Sequence, residues 1–173
     1  MPPIIRSAQV TDIPAIVDIY NEAGVSTTAS YDIEPVDLAE RTAWYDRLTQ
    51  AGFPVLVAED GEAGGVLGYA SYGKFRDKAA YAHTVEHSVY VARDARAVGL
   101  GRMLMTALID RARAEGVHVM VGVLDAENAQ SLRFHQRLGF VECGRLPEVG
   151  RKFDRWLDVV FVTLTFSGPG PRH

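Results

Sequence analysis

The chain has 173 residues, 47% of them hydrophobic, which is enough for one domain with its own core. A formal net charge of -4 without any long run of Lys or Arg excludes a phosphate-backbone binding surface, so nucleic acid is not an expected partner. The single cysteine, Cys143, excludes an internal disulfide and a cysteine-cluster zinc site, and it is expected in the core as a small hydrophobe. A reducing, cytoplasmic setting fits it, and no apolar run is long enough for a signal peptide or a membrane span.

Ile4 to Ser7 reads as a short strand, and Thr11-Asp12-Ile13-Pro14 as a helix start, with Pro just inside. That helix is expected to reach Ala23, because Ile13, Ile16, Val17 and Tyr20 recur at three and four. A loop from Gly24 to Pro35 carries Tyr31, and Val36 to Gln50 reads as a second helix. Pro54 to Glu59 and Val66 to Tyr72 are predicted strands joined as a hairpin. The β-branched stretch Ala82 to Val91 is predicted near the sheet centre. From Gly99 the apolar spacing turns helical and stops at Gly116. Val117 to Leu124 reads as a strand, Ala129 to Leu138 as a helix, and Phe140 to Leu146 and Leu157 to Phe166 as the last strands. Residues 1–166 are thus read as one α/β domain, a central mixed twisted sheet with helices on both faces, and 167–173 as a disordered tail.

The segment that carries chemistry is Val89-Tyr90-Val91, a turn, then Arg96-Ala97-Val98-Gly99-Leu100-Gly101-Arg102 opening a helix. Glycines in such a turn let backbone N–H groups approach a phosphate, and the helix start adds unpaired donors. The Walker ending and the six-residue dinucleotide fingerprint are both absent, which disfavours a nucleotidase or a dehydrogenase. The five histidines form no helix-spaced pair with carboxylates, so no metal site is expected.

The pattern Arg96-x-x-Gly99-x-Gly101, with Asn128, Ser131, His135 and Gly139-Phe140 further on, resembles the GCN5-related N-acetyltransferase (GNAT) superfamily. Most members carry Tyr where this chain has His135. Within the superfamily the chain is similar to the phosphinothricin and methionine sulfoximine acetyltransferase group. That likeness rests on Thr84-Val85-Glu86-His87-Ser88-Val89-Tyr90-Val91, on the late-helix His and on Gly150-Arg151-Lys152-Phe153-Asp154-Arg155-Trp156-Leu157-Asp158.

The resemblance implies direct acetyl transfer from acetyl-CoA to the α-amine of a small amino-acid-like compound, and hence resistance to antibiotics and herbicides of that type. It implies a homodimer, for which the apolar strand Val159-Val160-Phe161-Val162 offers an interface. Glu86 is the expected base, with His87 its rival; neighbours on a regular strand face opposite ways, so only a bulge would aim both at one amine. His135 is either the acid that protonates the leaving thiolate or a half-buried helix residue. The backbone of Val89, Tyr90 and Val91 would hold the thioester and the pantetheine arm, the residues from Arg96 to Arg102 the phosphates, and Ser131 the cofactor. Asn128 is read equally as a pantetheine contact and as a helix cap. Arg76, Glu86, His87, Ser88 and Lys152 are the expected substrate contacts, Arg76 and Lys152 through an anionic group. Tyr31, Trp44 and Phe75 either line an apolar pocket or belong to the core. The rival readings are acetylation of a peptide N-terminus or polyamine, and an acyl-CoA-binding regulatory module.

Overall fold

The computed structural model describes residues 1–167, except the side chains of residues 96–98. The expected tail from 168 on, and the side-chain roles expected of Arg96, Ala97 and Val98, lie outside the described residues. The strands are β1 (Ile4–Ser7), β2 (Val55–Glu59), β3 (Val66–Lys74), β4 (Thr84–Val91), β5 (Val119–Asp125), β6 (Val141–Lys152) and β7 (Arg155–Thr165). The helices are α1 (Ile13–Tyr20), α2 (Leu38–Gln50), α3 (Leu100–Ala114) and α4 (Ala129–Arg137). The strands form one sheet in the order β1-β2-β3-β4-β5-β7-β6, parallel between β4 and β5 and antiparallel elsewhere.

Strand parity divides the core. Val57 lies opposite Tyr69, and both point to the face covered by Ile16 and Ile19 of α1 and by Trp44 and Leu48 of α2. Their neighbours Leu56 and Ala70, also opposite each other, point to the face covered by Leu104, Met105 and Leu108 of α3. Helices therefore cover both faces, as the alternating apolar pattern requires.

The β4–β5 ladder is short. It holds Thr84↔Val119, Val85↔Met120 and Glu86↔Val121, after which β4 runs on to Val91 and β5 to Asp125 with no pairing between them. At this fork the ring of His87 fills the space over Gly122, where a Cβ would come within 2.8 Å of the imidazole. Nδ1 of His87 lies 3.0 Å from the Val121 carbonyl oxygen, so a side chain occupies the last acceptor of the ladder.

Several expectations need correcting. The first helix ends at Tyr20 and widens into a π-helical turn, Asn21–Val25, where Gly24 lets the backbone approach the ring of Tyr90. The second helix begins at Leu38, because Asp37 caps it by accepting from the Glu40 N–H. The last two strands are longer than expected, and their hairpin turns at Phe153-Asp154, both with positive φ (52° and 58°). Asn-Gly usually marks such a turn, and neither residue is present. Cys143 is exposed on β6, not buried. Val159, Val160 and Val162 are core residues of an inner strand and cannot form an interface.

Candidate active site

Two adjoining cavities, of about 220 and about 80 Å³, open at the fork. The parallel pairing ends here, toward the carboxyl ends of β4 and β5, the side on which open α/β sheets bind ligands. Both cavities touch His87, Ser88, Tyr90, Val123, Leu124 and Asp125. Ala29 also touches both; the larger one adds Glu86, Thr28, Ser30, Tyr31 and Val159, and the smaller adds Val89, Asn128, Ser131 and His135.

β4 is regular through this region, pairing residue by residue with β3 from Val85 to Val91. No bulge brings Glu86 and His87 to one face. Burial raises the carboxyl pKa of Glu86 above the ordinary range, and Arg76, whose Nη1 lies 3.9 Å away, opposes the shift. Arg76 itself is exposed and does not line either cavity.

His87 and His135 are both buried, with their Nε2 atoms 2.9 Å apart. Desolvation pushes His87 well below the ordinary histidine range, and the neighbouring ring adds to this; His135 is lowered too, by burial. Nδ1 of His135 lies 2.8 Å from the carbonyl oxygen of Ser131, one turn back on α4, and 3.4 Å from its hydroxyl.

The loop that roofs the larger cavity is tied from below. Nζ of Lys152 donates to the carbonyls of Thr27 (2.6 Å) and Ser30 (2.8 Å), so this buried ammonium holds backbone and does not line the cavity. Its pKa is lowered by desolvation, against the pull of Asp32. Tyr20 bonds both Ser30, at 2.8 Å, and Asp32 through its hydroxyl. Tyr31 lies against Gly150, where any side chain would meet its ring. Thr28 donates to Oδ2 of Asp125, whose Oδ1 is buried without a hydrogen bond. A buried carboxylate oxygen without a partner is costly, and Asp125 lines both cavities.

The remaining expected residues divide. Asn128 caps α4, accepting from the Ser131 N–H at 3.0 Å, and also faces the smaller cavity, so both readings hold a place in the geometry. Gly99 takes a left-handed φ of 73° as the cap of α3, which leaves the N–H groups of Leu100, Gly101 and Arg102 outside the helix ladder. Gly101 lies beside Phe134 and Val91 at the open end of the fork. Leu100 is fully buried and Arg102 exposed, so any contact from Leu100 is through its backbone. Trp44 packs edge-on to Tyr69 under Arg41, and Phe75 packs on Tyr81 beneath Arg76; neither ring lines either cavity, whereas Tyr31 does. Thr28, Ala29 and Asp125 were not anticipated. An acid closing the apolar run Val119 to Leu124 was the readable hint for the last of them.

The chain matches the acetyltransferase (GNAT) family over residues 15–140. It is 53% identical to the L-methionine sulfoximine/L-methionine sulfone acetyltransferase of Pseudomonas paraeruginosa, over 94% of each chain. The structure of yncA from Salmonella typhimurium, solved with its cofactor acetyl-CoA, has a TM-score of 0.93 and 43% identity, over 100% of this chain and 99% of that one. The phosphinothricin acetyltransferase of Sinorhizobium meliloti, solved in complex with acetyl-CoA, has a TM-score of 0.91 and 34% identity, over 95% and 89%. Together with the forked sheet and the glycine turn that opens α3, these matches make the chain a member of the GNAT family of acetyltransferases.

Proposed function

We propose that this enzyme acetylates the α-amine of a small amino-acid-like compound with acetyl-CoA as donor, phosphinothricin and methionine sulfoximine or sulfone being the named substrates. The observation that carries the reading is a cavity of about 220 Å³ at the fork, with Glu86 among the residues of its wall. It lies below the roughly 300 Å³ at which sites for drug-sized ligands begin. A compact amine fits this better than a peptide does.

Acetyl-CoA suits the residues present. The edge of β4 beyond Glu86 has no strand beside it among the described residues, so its peptide groups are available to the amides of the pantetheine arm. The free N–H groups after Gly99 suit the pyrophosphate. In this reading the backbone at Val89 and Tyr90 polarises the thioester oxygen. Glu86 removes the proton that keeps the amine from attacking, directly or through water. His135, Asn128 and Ser131 stand on the thiol side, and Arg76 at the rim offers a bidentate partner for a carboxylate.

The test is CoA release from acetyl-CoA with phosphinothricin, methionine sulfoximine, methionine sulfone, a polyamine and a short peptide. Turnover confined to the amino-acid analogues is the expected result. Turnover of the peptide or polyamine alone would sink the substrate assignment, and acetyl-CoA binding without any product would favour a regulatory module.

The same reading includes a cytoplasmic location, supported by the free thiol of Cys143, and a homodimer. Support for the dimer lies on β6 and its turn, where Val141, Leu146, Val149, Phe153 and Trp156 are exposed together on the last hairpin. Light scattering at micromolar concentration is expected to give twice the chain mass of 19.0 kDa; a monomer would contradict it.

A further inference from the structure

The two buried histidines make three contacts of 3.0 Å or less and a fourth, at 3.4 Å, between Nδ1 of His135 and the Ser131 hydroxyl; two of the three short ones are to carbonyl oxygens, which only accept. Nδ1 of His87 meets Val121 O at 3.0 Å, Nδ1 of His135 meets Ser131 O at 2.8 Å, and the two Nε2 atoms meet at 2.9 Å. Filling all three takes three protons, and two neutral imidazoles carry two. A neutral pair therefore leaves one contact without a hydrogen.

Which contact stays empty follows from the donors nearby. Leaving the contact between the rings empty would set two Nε2 lone pairs 2.9 Å apart, and a bare Nδ1 on His87 would face the Val121 carbonyl with no donor beside it among the described residues. A bare Nδ1 on His135 has the Ser131 hydroxyl 3.4 Å away. The proton of His87 accordingly belongs on Nδ1, its Nε2 accepts from Nε2–H of His135, and the bare nitrogen is Nδ1 of His135. That atom lies at the Ser131 end, where both Ser131 and His135 line the smaller cavity. Phe134 and Phe140 pack on the rings, Gly122 and Val162 lie beneath His87, and the carboxyl groups in the adjoining walls are Glu86 and Asp125.

We propose that Ser131, His135 and His87 form a proton relay entered at Nδ1 of His135, with His87 as the positioning residue that keeps that nitrogen bare. This rests on the acetyl transfer argued above. An ammonium substrate must shed two protons, and the leaving sulfur needs one. Glu86 takes the first before attack. When the C–N bond has formed, the nitrogen gives up its second proton to the Ser131 oxygen as the Ser131 hydroxyl proton passes to Nδ1 of His135. The pair then holds three protons and all three contacts are filled. As the C–S bond breaks, the same path runs backward and the proton ends on sulfur. Atoms and charge balance: two N–H bonds and one C–S bond are lost, one C–N and one S–H bond are made, and the remaining proton passes from Glu86 to solvent, which returns the enzyme to its starting state.

The experiment combines ¹⁵N-histidine NMR at pH 7.5 with kinetics of His87→Leu and His87→Gln. Wild-type His135 is expected as the Nε2–H tautomer. His87→Leu removes the acceptor, so His135 is expected to turn to Nδ1–H and kcat to fall about 10-fold, less than the roughly 10²–10⁴ of a group that itself transfers the proton, because His87 acts through His135, with both KM values unchanged. His87→Gln offers an amide oxygen to Nε2–H and an amide N–H to Val121, and is expected to keep the tautomer and recover most of kcat. An Nδ1–H tautomer in the wild type overturns the proposal, as does a switched tautomer in His87→Leu with undiminished kcat. Should His87→Leu not fold, the wild-type tautomer and the glutamine variant still decide. The tautomer is read without any amine present, so failure of the substrate assignment would be seen separately, in the amine panel.

Discussion

Glu86→Gln is expected to lower kcat for an amino-acid analogue about 100-fold or more, while leaving KM for acetyl-CoA unchanged. Positioned bases supply on the order of 10²–10⁴ in rate, and the substitution keeps shape while removing the proton acceptor. The pH profile gives the sharper readout. Burial holds the Glu86 pKa above that of a solvated glutamate, and only the ionised form accepts a proton. Activity with the wild type should therefore fall with decreasing pH at a higher pH than an ordinary carboxylate would give, and that acidic limb should vanish in Glu86→Gln. Because Arg76 pulls the other way, Arg76→Met should move the limb further up. A variant with full activity and an unchanged limb would remove Glu86 from the chemistry and return the role to another group in the fork.

The second large effect is expected at Lys152. Lys152→Met keeps the aliphatic stem but strips two carbonyls, those of Thr27 and Ser30, of their charged donor. Hydrogen bonds from charged groups contribute about 1.5–3 kcal/mol each, so a loss of about 3 kcal/mol is expected. For a chain of this size that lowers Tm by about 10 °C, taking roughly 2–4 °C per kcal/mol. The loop so released carries Thr28, Ala29 and Tyr31, which wall the larger cavity, so KM for the amine should also rise severalfold while KM for acetyl-CoA stays put. Calorimetry and initial rates check both. A higher amine KM with unchanged Tm would mean that Lys152 meets the substrate itself, the role first expected of it.

Much of this was legible in the chain, for identifiable reasons. The helical spacing of Leu100, Leu104 and Leu108, and the strand alternation around Val57 and Tyr69, report burial directly, because each period matches one face of its element. The opposite facing of Glu86 and His87 followed from strand parity alone. The limits are equally physical. The turn at Phe153-Asp154 puts two side-chain-bearing residues at positive φ, which composition disfavours, so the long hairpin was not seen. His87 and His135 are 48 residues apart, and their contact exists because α4 packs across the fork. Nothing local in the chain reports where the ammonium of Lys152 ends, 122 residues from the Ser30 carbonyl it holds.

The shortness of the β4–β5 ladder divides the sheet mechanically. Three register pairs are the seam between a four-stranded half, β1 to β4, and a three-stranded half, β5 to β7. Past that seam the halves are separated by a crack, with the amine cavity at its mouth. In the proposed reading, a donor arm bonded along β4 would act as a splint across the crack, and the walls of the larger cavity would take their working spacing from it. The acyl donor would then be, for the duration of one turnover, a structural member of the sheet as well as a reactant, and the pocket proposed for the amine would be completed by the molecule that acylates it.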